Sequence, residues 1–158
     1  MSPRQVLVDA LQGALAAEHA AIWAYGVVAA FVPGALDGQL EEAASAHQAR
    51  RDATERILID AGAPPVPPEP GYLIPEPVTD ATSALRLAIT AETDAAAAWR
   101  SVVELSPAEL SPAERSPADP GLRGAALDAL TEAAVRATRW RATASVSPLT
   151  VPFPGAPA

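Results

Sequence analysis

Along residues 5–32, QVLVDALQGALAAEHAAIWAYGVVAAFV, inward-facing positions return at alternating intervals of four and three: Leu7, Leu11, Ala14, Glu18, Ala21, Tyr25, Val28, Val32. This is the stripe of a helix that faces a bundle core. One member of it, Glu18, is a carboxylate, with His19 beside it. A carboxylate on such a line has to be paired, hydrogen-bonded, protonated or metal-bound, because an isolated charge in an apolar interior is too costly to keep. Ser2 and Pro3 suit the start of this helix, and Pro33-Gly34 stops it after about 28 residues. Its second half is apolar on several faces, with Ile22, Trp23, Val27 and Phe31 lying off the main line. That excess predicts a homodimer interface on those four residues; the alternative is a wide stripe filled within one chain.

Three more helices follow from the same periodicity. The second is predicted over residues 36–61, ended by Gly62, with the line Leu36, Leu40, Ala43, His47, Arg50, Thr54, Ile57, Ala61. The third covers 80–105, with Leu85, Ile89, Glu92, Ala96, Trp99 and Val103 on its line and caps available at Thr79, Asp80, Thr82 and Ser83. The fourth covers 120–145 and offers two competing lines. One is Leu122, Ala126, Ala129, Ala133, Trp140; the other is Leu127, Leu130, Ala134, Ala137. Glu132 is therefore inward or flanking.

The short turn at Pro33-Gly34 makes the first two helices antiparallel neighbours. Between the second and third, APPVPPEPGYLIPEPVT at 63–79 is too rich in proline for helix or central strand. In polyproline II geometry it reaches on the order of 50 Å, enough to run the length of a neighbouring helix that rises about 1.5 Å per residue. A long crossover is expected there, in preference to a ligand for a proline-recognising domain. The near-repeats SPAEL, SPAER and SPADP at 106–120 exclude a regular helix and read as an exposed loop, with a phosphorylated Ser-Pro array as the sharper alternative. The expected domain is 1–145, followed by an extended tail, 146–158.

Glu18, His47, Glu92 and Glu132 each fall near the middle of their own helix, so in a four-helix bundle they share one level whichever way each helix points. They are the candidate site, as a central polar layer or as metal ligands. Arg50 and Arg136 stand beside them as charge-compensating partners. His19 is about 100° round the helix from Glu18 and does not chelate with it; a flanking role is expected. Trp23, Trp99 and Trp140 read as core and interface side chains, and catalytic residues are not identified.

Composition narrows the chemistry. Without cysteine there are no disulfides, thiolate nucleophiles or thiolate metal sites, so any metal must be held by Glu, Asp and His. The net charge of -8 gives no footprint for nucleic acid or an anionic membrane. The uninterrupted apolar run from Ala20 to Val32 is 13 residues, short of the roughly 18 needed to cross a bilayer, and the N-terminus lacks the pattern of a signal peptide. A cytoplasmic protein is expected. All eleven basic residues are arginine, which reflects coding bias as much as function.

Two hairpins, a long crossover and one mid-helix carboxylate or histidine per helix resemble the ferritin-like fold. More closely, AEHAAIWAYGVV, AHQARRDA, AET and VPFPG resemble a ferritin-like domain family of unknown function found in high-GC bacteria. The resemblance implies an all-α ferritin-like four-helix bundle and a homodimer, and carries no activity with it. A ferritin-like di-iron site takes one Glu from each of two helices and a Glu-x-x-His pair from each of the others. Glu18 and Glu92 match the single-Glu positions, but the pairs here read Ala44-x-x-His47 and Glu132-x-x-Val135. The leading expectation is a non-catalytic binding or structural protein with a degenerate, metal-free layer and no cofactor. The alternative is a metal-dependent oxidoreductase or metal-binding protein holding one Fe, Mn or Zn ion.

Overall fold

The computed structural model describes residues 2–106 and 121–156. The SPAEL, SPAER and SPADP repeats lie, apart from Ser106, outside the described residues. There are four long helices among the described residues: α1 (Pro3–Ala29), α2 (Asp37–Asp60), α3 (Ala81–Leu105) and α4 (Leu122–Thr143). Among the described residues there is no strand.

Each helix begins and ends for a local reason. The Ser2 hydroxyl accepts from the Gln5 amide to cap α1, and Pro3 fills the first turn, where no amide partner is needed. α1 stops at Ala29, earlier than the sequence predicts. Pro33 disfavours helical backbone at Val32, and the chain leaves by a tight turn in which Ala30 and Phe31 donate to the Val27 and Val28 carbonyls. A 3-10 turn at Gly34–Leu36 then feeds α2. α2 closes with Gly62 at φ +75°, while the Ala63 amide reaches back to the Leu58 carbonyl, the wrapped end that glycine permits. Asp80 and Ser83 form a reciprocal capping box on α3.

Glu18 of α1 meets Trp99 of α3 and Tyr25 meets Glu92, so rising numbers on one helix face falling numbers on the other, and the two run antiparallel. α1 packs against α2 and α3, and α3 against α4. The seam between α2 and α4 lacks that close backbone approach and is spanned by side chains, Arg50 to Glu132 and Arg139 to Glu42.

Among the described residues the core has two large apolar lobes and a small cluster of Ala95, Ala96 and Ala133. One lobe gathers Ala21, Tyr25, Val28, Leu40, Ala88 and Trp140; the other gathers Leu11, Leu15, Leu58, Trp99, Val102 and Ala126. Alanines dominate the helix contacts, which lets the backbones come close. The predicted lines hold in the middle of each helix and drift at the ends, where Leu58 and Val102 are fully buried in place of Ile57 and Val103. On α2 the shift is the one a straight helix produces, since it turns slightly less than two full turns per seven residues and the buried position moves one residue on. On α4 the line through Leu122, Ala126, Ala129, Ala133 and Trp140 enters the core, joined by Ala137, while Leu127 stays half exposed.

Residues 61–80 contain no helix and lie against α1. A proline-rich segment has many carbonyls and few amides, so it needs donors from elsewhere, and α1 supplies them. Arg4 donates to the Ala61 carbonyl at 2.8 Å, and Gln12 donates to Pro64 at 2.7 Å while accepting from the Val66 amide at 2.8 Å. His19 meets the Val66 carbonyl at 3.2 Å, and Trp23 packs on Tyr72 with ring centroids 5.8 Å apart. Trp23 thus has a partner within its own chain. Ile22 and Val27 are half-buried and Phe31 remains 40% exposed.

The tail is not simply extended. Gly155, at φ +76°, sits so close to α3 that a Cβ there would lie 2.6 Å from the Ala96 carbonyl oxygen. Only glycine combines that backbone conformation with that approach. Residues 146–156 therefore form a strap fixed to α3 at Gly155. No helix among the described residues is long and apolar enough to cross a membrane.

Candidate functional site

Between the two apolar lobes lies the polar layer. Glu18, His47 and Glu92 are fully buried. His47 stands between the two carboxylates: its Nδ1 is 2.6 Å from Glu18 Oε2 and its Nε2 is 3.1 Å from Glu92 Oε1. With a carboxylate at each ring nitrogen, the surroundings favour the doubly protonated imidazolium over the neutral ring. Burial alone would push its pKa down, but the bonds to Glu18 and Glu92 outweigh burial and raise it above its ordinary 6.5.

Glu92 Oε1 collects three donors: Tyr25 Oη at 2.5 Å, Arg136 Nε at 2.7 Å and His47 Nε2 at 3.1 Å. Burial pushes this carboxyl up, yet His47 and then Arg136 overcome burial and hold it below its ordinary 4.5. Arg136 shows the mirror effect, with Glu92 overriding the burial that would weaken its charge. Tyr25 is driven upward by burial and then by the neighbouring Glu92, so its phenol remains protonated and donates.

The aromatic heads complete the network. Trp99 Nε1 donates to Glu18 Oε1 at 2.6 Å, and Trp140 Nε1 donates to the Tyr25 oxygen at 2.7 Å, which passes its own hydrogen to Glu92. α1 carries Glu18 and, seven residues on, Tyr25; α3 carries Glu92 and, seven residues on, Trp99. Because the helices are antiparallel, each carboxylate meets the other helix's donor. Sequence reasoning assigned Trp99 and Trp140 to the core and missed their polar ends, as it missed Tyr25. The signal was present: a core Trp or Tyr needs a partner for its N–H or O–H, and the carboxylates sat on the same lines at that spacing.

Glu132 lies at the edge, its side chain 54% exposed, and Arg50 binds it directly while reaching toward Glu18 Oε1 at 3.8 Å. Arg136 is 3.8 Å from the same Glu132 oxygen. Glu132 is flanking, and it closes the open α2–α4 seam over the layer. Three carboxylates, Glu18, Glu92 and Glu132, thus face three cations, His47, Arg50 and Arg136. Among the described residues, three buried side-chain polar atoms lack hydrogen-bond partners: Glu92 Oε2, Arg50 Nη1 and Arg136 Nη2. His19 is buried outside this layer and pins the 61–80 segment.

Fold and site define an all-helical bundle with a charge-balanced buried layer at its middle. The chain belongs to the family described as Domain of unknown function (DUF4439), whose model matches residues 10–158. It is similar to the crystal structure of a conserved hypothetical protein, rv2844, from Mycobacterium tuberculosis. The two share 38% identity and a TM-score of 0.81, over 97% of this chain and 100% of that one. No curated protein matches the chain.

Proposed function

We propose that this protein is a ferritin-like bundle whose metal layer has become a permanent ion-pair network, and that it serves as a non-catalytic binding or structural protein. The observation that carries this reading is His47, both of whose ring nitrogens are engaged by carboxylates. A metal-ligating imidazole must offer a lone pair, and a ring protonated at both nitrogens offers none. Arg136 donates to Glu92 Oε1, and Arg50 holds Glu132. A di-iron group does not fit this donor set. In support of the ferritin-like arrangement, α2 ends in the lobe of Leu58 and α3 begins in the lobe of Ala84 and Leu85, so residues 61–80 pass from one end of the bundle to the other. That is the course of a long crossover between two hairpins.

The competing reading is a metal-dependent oxidoreductase or metal-binding protein holding one Fe, Mn or Zn ion. It draws on Glu92 Oε2, a buried carboxylate oxygen without a partner. Elemental mass spectrometry separates the two, on untagged protein purified without chelator after growth with iron, manganese and zinc, beside a Glu18→Ala, His47→Ala variant. Metal-free, folded protein supports the ion-pair network. Near one metal per chain, lost in the variant, overturns it. The same reading includes a homodimer through Ile22, Trp23, Val27 and Phe31, and a monomer by light scattering at micromolar concentration contradicts that part.

A further inference from the structure

The second apolar line of α4 is only partly consumed by the core: Ala137 is buried, while Leu127 stays half exposed. Leu127, Leu130 and Ala134 line a groove closed on one side by Ala96 of α3 and on another by Val151 and Pro154 of the C-terminal strap. Its volume is about 560 Å³, inside the range of roughly 300–1,000 Å³ typical of small-molecule sites. Four threonines border it; Thr150 stands on the strap, and Thr93, Thr131 and Thr138 each spend the hydroxyl hydrogen on the carbonyl four residues back in their own helix. The walls therefore present mainly methyl and methylene groups.

Charge at the rim is one-sided. In a chain of net charge -8, the charged residues lining the groove are Arg139 and Arg141, with no carboxylate among them. Arg141 leans across from α4 to Thr93 of α3, with Nη2 3.4 Å from Oγ1, and among the described residues it has no ion pair. An apolar trough ending at an unpaired guanidinium is complementary to a molecule with an apolar chain and an anionic head.

We propose that this groove binds a free single-chain aliphatic carboxylate, its chain along Leu127, Leu130 and Ala134 and its head on Arg141. The strap supplies one wall, and the close seat of Gly155 on Ala96 fixes that wall in place. The site is separate from the polar layer and does not depend on how that layer is read.

The test is calorimetric titration of the full chain with sodium decanoate below its micelle concentration, with 1-decanol and decylammonium as controls. Saturable binding of one decanoate per chain is expected, weakened about tenfold or more when the head loses its charge or Arg141→Ala removes the guanidinium. Leu127→Asp places a carboxylate in the wall at a half-exposed position, so it is expected to abolish binding while leaving the thermal midpoint near wild type. Absence of binding, equal binding of decylammonium, or binding unaffected by Arg141→Ala overturns the proposal. So does association only with anionic lipid vesicles, or a dimer that Leu127→Asp dissociates, either of which assigns the groove to another occupant.

Discussion

The polar layer and the two apolar lobes around it are buried to the same degree and held by different physics. In the lobes, Leu15, Leu58 and Val102 gain from leaving water and from close packing, and neither effect depends on one particular partner. In the layer, Glu18, His47 and Glu92 lose hydration and recover it only through named oxygens and nitrogens at 2.5–3.1 Å. The lobes specify that a bundle forms. The layer specifies how its helices line up, because only one register brings Glu18 to Trp99 and Tyr25 to Glu92 together.

The contrast is broken most severely by removing one member of the layer. Glu92→Ala strands His47 and Arg136 as buried charges and is expected to cost about 3–5 kcal/mol in urea unfolding. Trp99→Phe keeps most of the volume but removes the donor to Glu18, with an expected loss of about 1–3 kcal/mol. In the lobes, the near-isosteric Leu58→Met is expected to cost less than about 1.5 kcal/mol, since packing there has no partner requirement. A Leu58→Met variant as damaged as Trp99→Phe would erase the distinction.

Acidity sharpens the comparison further, because the layer titrates and the aliphatic side chains of the lobes do not. Glu92, held below 4.5, contributes stability that is full above that value and is lost as pH falls through its lowered folded pKa. His47, raised above 6.5, contributes stability that is full below 6.5 and is lost as pH rises through its raised folded pKa. Urea midpoints measured against pH should therefore form a plateau between 4.5 and 6.5 and decline on both sides. In a Glu92→Gln, His47→Gln variant the plateau should flatten. The smallest effect belongs to the exposed rim, where Glu132→Ala should change stability by only about 0.2–1 kcal/mol, diminishing with salt.

How much of this was legible in the sequence also divides along the same line. Periodicity gave the helices and the inward positions of Glu18, His47 and Glu92, because burial of a stripe is a one-dimensional property of a helix. It could not decide between the two lines of α4, since alanines on both leave the choice to what packs opposite. Nor could it show that Tyr25, Trp99 and Trp140 point their polar ends into the layer, which depends on the antiparallel register of α1 and α3. The outer face of α1 read as excess apolar surface. Its cover came from Tyr72 and from carbonyls of a proline-rich segment that no periodicity describes. The Gly155 contact with Ala96 was hidden for the same reason, being a meeting of two distant backbones.

The central claim is that His47 is a doubly protonated cation locked between two carboxylates. The chain has 2 histidines, His19 and His47, so the ring nitrogens can be assigned with one His19→Gln variant. The decisive measurement is the nitrogen-15 NMR spectrum of His47 at pH 7, recorded before and after addition of iron(II), manganese(II) or zinc. Both nitrogens in the protonated range, unmoved by metal, is the predicted result. A deprotonated ring nitrogen, or a signal shifted or broadened at one metal per chain, would contradict the account.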